Sequence, residues 1–306
     1  MVSVQHLAYG GWPNCYRVSD GEVEIIAVTD IGPRIIRCGL VGGTNLFFER
    51  VTDKGRTGGN KFRYYGGHRL WCAPESKALT YNPDNQLVHC EELINGVLLR
   101  QVIESSTGIE KSIQITLDSV NHIFSLIHCI TNKGSQPITI SPWALTMLYP
   151  GGVAIVPQYR QGDDEGYLPN RTMALWPYTD MNDARVTWGA DYTLVRQNPN
   201  AGDKRFKFGV TLPQGWLAYL NQGVLFIKTF EFVHGASYPD NGVNSEVYTV
   251  GDFLELESFA PLCELAVGAK AMHGEQWSLV RVHEQLDDEA SVWPLIGKHI
   301  KKALGL

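Results

Sequence analysis

The chain has 306 residues, of which 44% are hydrophobic, 10% aromatic and 19% charged, an ordinary globular composition that excludes disordered and fibrous classes. Lys and Arg total 26 against 32 Asp and Glu, a formal charge of −6, so the basic face a nucleic-acid binder needs is missing. A core of this size needs no disulfide or metal, and the six cysteines show no C-x-x-C spacing, which leaves a zinc ribbon or thioredoxin-type site without support.

From the N-terminus, Met1–Gly11 has neither a positive start nor an apolar run, and no window approaches ~18 uninterrupted apolar residues. The expectation is a cytoplasmic protein with no membrane partner. Short alternating runs cut by turn residues then dominate. Val23–Val28 follows Asp20-Gly21, Arg34–Leu40 follows Gly32-Pro33, and Asn45–Phe48 follows Gly42-Gly43. Val97–Val102, Ile109–Leu117, Ile123–Asn132 and Ile138–Met147 read as a meander. Phe206–Leu212, Trp216–Leu220, Val224–Phe232 and Phe253–Phe259 continue it. Such spacing, rich in β-branched and aromatic residues, predicts an all-β protein, a large antiparallel β-sandwich or barrel.

Between these runs, Gln158–Tyr192 reads as a long irregular loop holding Asp163, Asp164, Glu165, Trp176 and Tyr178, the kind of segment that forms a lid or site wall. One amphipathic helix is expected, at Asp287–Leu304. Leu295, Ile296, His299, Ile300 and Leu304 form its apolar stripe, with Lys298, Lys301 and Lys302 opposite. No composition break divides the chain, so residues 1–306 read as one domain.

Three stretches could carry chemistry. In Gly66-Gly67-His68-Arg69-Leu70-Trp71-Cys72-Ala73-Pro74-Glu75, an extended chain puts His68, Leu70 and Cys72 on one face and Arg69 and Trp71 on the other. An indole beside a guanidinium suits a sugar, the ring stacking while the fork binds hydroxyls or a carboxylate; a glycine-rich turn with a structural arginine is the plainer reading. In Phe253–Pro261, Glu255 and Glu257 share a face, their Cα atoms roughly 6.7 Å apart. Burial and mutual repulsion would split their pKa values and make an acid or base near neutral pH; a solvated face is the alternative. In the third stretch, Lys228 lies on a strand, His234 ends it, and Tyr238 and Glu246 follow. His234 is either a functional acid or a satisfied loop histidine. His122 and His128, six residues apart on one strand, cannot share a metal by themselves. No H-E-x-x-H, G-x-S-x-G, P-loop or dinucleotide fingerprint occurs.

The order of these features resembles the galactose mutarotase-like, or aldose 1-epimerase, superfamily. Thr29-Asp30-Ile31-Gly32-Pro33-Arg34-Ile35-Ile36 is similar to its opening strand, Gly67-His68-Arg69-Leu70-Trp71 to its substrate-binding arginine segment, and Glu255–Leu262 with His273–Leu279 to its closing strands. The Gly-Gly-His-Arg-Leu-Trp-x-Ala-Pro-Glu run marks a distinct branch, and the resemblance covers nearly the whole chain. It implies a sandwich with a concave sugar-binding sheet and a cofactor-free, metal-free epimerisation. In that reaction a glutamate takes the proton of the anomeric hydroxyl and a histidine protonates the ring oxygen. By that resemblance Glu257, or Glu255, is the base, and the acid is His68 or His234. Arg69 holds the substrate, with Lys228, Trp71, Glu75, Trp143, Tyr238 and Glu246 as further binding residues. The strand Ile140–Met147, where the family carries its acid, has Trp143 and Thr146 but no histidine. The alternatives are a non-catalytic carbohydrate-binding protein and a lyase using the same cleft. Lys228 and Arg69 would serve an anionic sugar such as a uronate or sugar phosphate.

Overall fold

The computed structural model describes residues 1–161 and 167–303, so Asp163, Asp164, Glu165 and Leu304 lie outside the described residues. Two antiparallel sheets pack face to face. The first runs Ser3–Tyr9, Trp12–Ser19, Val23–Val28, Arg34–Leu40, His68–Ala73, Ile138–Leu148, Leu254–Phe259, Ser245–Thr249, Phe206–Val210, Met173–Leu175, with Cys263–Leu265 beside the start of Ile138–Leu148. The second runs Val186–Trp188, Tyr192–Arg196, Val153–Pro157, Trp216–Asn221, Val224–Phe230, Lys270–Arg281, Ile123–Asn132, Ile109–Asp118, Gly96–Arg100, His89–Leu93. The fold is therefore an all-β sandwich, closed by a helical tail from Ala290–Val292 to Lys301–Ala303. No helix among the described residues is long and apolar enough to cross a membrane.

Alternation builds the core. Along Ile109–Asp118 every second residue, Ile109, Lys111, Ile113, Ile115 and Leu117, is buried. Ile25, Ile35, Leu70, Leu254 and Leu256 meet them from the first sheet in one apolar cluster. Phe47 packs edge-on against Phe226 and Trp277 at ring separations of 5.9 and 5.5 Å. Burying each such side chain contributes about 1.5–3 kcal/mol. Asn45–Phe48, expected as a strand, makes one isolated bridge, Phe47 with Leu148, and Glu49 just beyond it bridges Gly66.

The central strands of the first sheet are buried on both faces. Ile138–Leu148, Leu254–Phe259 and His68–Ala73 show unbroken burial over most of their length. Two glycines let His68–Ala73 enter this position. Gly66 and Gly67 have φ of +104° and +72°, and a Cβ there would stand 2.0 Å from the Phe48 carbonyl oxygen and 2.1 Å from that of Ile35. Gly67 donates to Phe48 O and accepts from Met147 N at 2.8 and 3.0 Å, which stitches the entry to both neighbours.

Gly67→Ala is expected to lower stability by about 3 kcal/mol or more. Gly42→Ala, where φ is also +72° but no atom lies within 4 Å, should cost about 1 kcal/mol. Urea unfolding of both variants checks this; equal losses would contradict the close-approach argument.

Candidate active site

On the face of the first sheet turned away from the core lies a cavity of about 250 Å³. Its floor follows from register. Arg69 pairs with Leu145, which pairs with Glu257; Trp71 pairs with Trp143, which pairs with Phe259; Met147 pairs with Glu255, which pairs with Tyr248 and through it with Lys207. Alternation sends all these side chains to one face, and Leu70, Cys72, Leu254 and Leu256 to the core. Tyr64, Trp176, Tyr178 and Phe253 complete the wall.

Two buried ion pairs set the electrostatics. Arg69 Nη2 lies 3.2 Å from Glu255 Oε1, and the guanidinium stacks 4.2 Å over the Trp71 ring. Burial pushes the Glu255 carboxyl up to about 7, Arg69 opposing and Glu257 adding to the rise. Beside it, Lys207 Nζ lies 2.6 Å from Glu246 Oε2 and 3.1 Å from Glu257 Oε2. Trp143 Nε1 donates to the same Glu257 oxygen at 2.9 Å. Glu246 and Glu257 stand directly opposite on adjacent strands, a repulsive arrangement unless a cation lies between them. Burial opposes the lysine's charge, but Glu257, Glu246 and Glu255 hold it well above its ordinary value; burial pushes Glu246 well up. Glu257 Oε1 is buried and, among the described residues, has no hydrogen-bond partner.

Of the residues picked out by sequence, Arg69, Trp71, Glu75, Trp143, Glu255 and Glu257 line this cavity. Glu75 sits at its edge, bonded to the Tyr81 hydroxyl. Glu246 stands just behind, holding Lys207. Tyr238 packs in the aromatic cluster with Trp71 and Trp143, its hydroxyl accepting from Val233 N at 2.9 Å. Three expectations need correction. His68 and Lys228 point the other way, between the sheets, because their strands' alternation turns them inward. His234 lies past the strand end, exposed, against Phe232. None of the three lines the cavity. Lys207, Arg205 and Tyr248 were not singled out by sequence. The signal for Lys207 was its place between Phe206 and Phe208, both core residues. The long loop does supply a wall, through Trp176 and Tyr178.

The inward residues form their own network. His128 Nδ1 donates to the His273 carbonyl at 3.0 Å, so its Nε2 accepts from His68 Nε2 at 2.7 Å, and His68 Nδ1 accepts from Thr146 Oγ1 at 2.9 Å. Lys228 Nζ lies 2.8 Å from Glu275 Oε1 and donates to Thr146 Oγ1 and to the carbonyls of Ala144 and Leu256. Burial holds His68 and His128 below the usual range, hence neutral. Burial works against Glu275's charge, but the Lys228 ammonium beside it keeps it ionised. His68, His128 and Glu275 bring ligand atoms within 4.8 Å of one another. They have metal-ligand chemistry, and each is already engaged: the histidines with each other, Glu275 with an ammonium.

No protein-family model matches the sequence, and no curated protein matches it. Solved structures do match in shape. A galactose mutarotase-like protein from Lactobacillus casei ATCC 334 superposes over 91% of this chain and all of its own, with a TM-score of 0.53 and 8% identity. A galactose mutarotase related enzyme from Lactobacillus acidophilus matches over 88% of this chain and 98% of its own, with a TM-score of 0.52 and 8% identity. A protein from Escherichia coli K12, provisionally named an aldose 1-epimerase, matches over 92% and 100%, with a TM-score of 0.50 and 12% identity. The chain thus has the galactose mutarotase-like fold, as the sequence resemblance implies.

Lys228→Met is expected to destabilise the protein by about 3–5 kcal/mol, because it strands a buried carboxylate. Adding Glu275→Gln should recover much of that loss. Thermal or denaturant unfolding measures both. A Lys228→Met protein as stable as wild type would contradict the inward placement.

Proposed function

We propose that the chain is a sugar epimerase of the aldose 1-epimerase type, acting in the cytoplasm. The observation that carries this reading is the pair Glu255 and Glu257, two carboxylates on one face of one strand, each held by a different cation. Two titratable groups in one pocket with different environments are how an acid and a base coexist near neutral pH. The fold shared with mutarotase-like proteins supports the sugar, as does an aromatic wall on which a pyranose can stack.

In this mechanism Glu257 Oε1 accepts the proton of the anomeric hydroxyl. That O–H electron pair becomes the second bond of the new carbonyl as the bond from the anomeric carbon to the ring oxygen breaks. Glu255, protonated, gives its proton to the departing ring oxygen. Rotation about the next carbon–carbon bond and the reverse transfers deliver the other anomer, and both carboxyls return to their starting states. No histidine is required; Glu255 takes the acid's role. Trp71 and Trp143, side by side, form one aromatic wall of the site, and Arg69 orients Glu255.

A second reading, a carbohydrate-binding protein without turnover, is favoured by one observation: neither His68 nor His234 reaches the cavity.

Proton NMR of freshly dissolved aldoses separates the two. The enzyme reading predicts accelerated anomer exchange, reduced about 10²- to 10⁴-fold in Glu257→Gln. Unchanged exchange in that variant would remove Glu257 from the mechanism, and no acceleration for any sugar would favour the binder. Because the acid must carry its proton, the rate should fall as pH rises through about 7, where Glu255 ionises; a rate still climbing there would exclude Glu255 as the acid.

A further inference from the structure

Three cations line the cavity: Arg69, Lys207 and Arg205. Two are already committed, Arg69 to Glu255 and Lys207 to Glu246 and Glu257. Arg205 differs. Among the described residues its guanidinium makes no ion pair and no hydrogen bond; Cζ stands 4.9 Å over the Tyr178 ring. It is exposed, and so belongs to the mouth and not the floor. Stacking on an aromatic face restrains the guanidinium without consuming its donors.

We propose that Arg205 is an anion subsite, and that the sugar taken by this pocket carries a phosphate or carboxylate remote from its anomeric carbon. The assignment rests on the reading of the cavity as a sugar site. A guanidinium fork matches both anions bidentately. The cavity of about 250 Å³ lies below the ~300–1,000 Å³ usual for drug-sized ligands, which suits one ring. With the anomeric end at Glu255 and Glu257 on the floor, the opposite end of the ring faces the mouth and Arg205. The charge that sequence reading assigned to Lys228 thereby passes to Arg205, since Lys228 is spent between the sheets.

Binding, not turnover, tests this. Isothermal titration of wild type and Arg205→Met would use glucose, glucose 6-phosphate, glucuronate and inorganic phosphate. Wild type should bind one charged sugar at least tenfold more tightly than glucose, and Arg205→Met should lose most of that advantage while affecting glucose far less. Whichever of the 6-phosphate and the uronate binds more tightly names the anion. Equal binding of glucose and both charged sugars, or an advantage untouched by Arg205→Met, would overturn the subsite and leave the sugar reading standing. Arg205-dependent binding of inorganic phosphate with no sugar bound would uphold the subsite and sink the sugar reading. No binding of any probe would overturn both.

Discussion

Glu246 and Glu257 face each other across adjacent strands with their side chains out of water, and Lys207 is what makes that arrangement possible. Two buried carboxylates in register repel, and each has a desolvation cost that only a partner can offset. The single ammonium touches both, at 2.6 and 3.1 Å. Lys207 is in turn framed by aromatic faces, its Nζ 5.0 Å from the Trp143 ring centroid and 4.6 Å from that of Trp176. The charged floor and the aromatic wall of the cavity are thus one construction. Lys207 and Trp143 both approach Glu257 at the same oxygen, Oε2, and among the described residues nothing bonds the other.

A second charged system sits on the other face of the same sheet. Lys228 bonds the carbonyls of Ala144 and Leu256. Those residues lie between Trp143 and Leu145 and between Glu255 and Glu257, so the ammonium grips from below the two strands that carry the floor. Glu275 balances its charge, and His68, His128, His273, Thr146 and Ser258 satisfy the remaining donors and acceptors. A network so fully paired fixes one packing of sheet on sheet, because any sliding would leave a charge or a ring nitrogen buried and alone. We read the inner cluster as the rigid support that lets the outer one hold its geometry.

Much of this was legible in residue order. The strands Val23–Val28, Arg34–Leu40 and Ile123–Asn132 stand where alternation predicts them. The face-sharing of Arg69 with Trp71, and of Glu255 with Glu257, also holds. The misplacing of His68 and of Lys228 has one cause. In a strand buried on both faces, period-two reading tells which residues go together but not which way they go. His68 and Lys228 are polar residues on the core face, and nothing local distinguishes them from polar residues on the cavity face. Lys207 was overlooked for the converse reason, since Phe206 and Phe208 made its strand read as apolar core. His273 lies within Lys270–Arg281, whose inward row Ala271, His273, Glu275, Trp277 mixes polar and apolar groups.

The account turns on Glu255 and Glu257 being different in kind despite sharing a strand face. Carbon-13 NMR of the glutamate side-chain carboxyls, assigned with Glu255→Gln and Glu257→Gln, measures this directly. The account predicts that the Glu255 carboxyl titrates with a midpoint near 7. A midpoint at the ordinary glutamate value of about 4.3 would mean the pocket does not tune Glu255, and the acid–base pairing would fail with it.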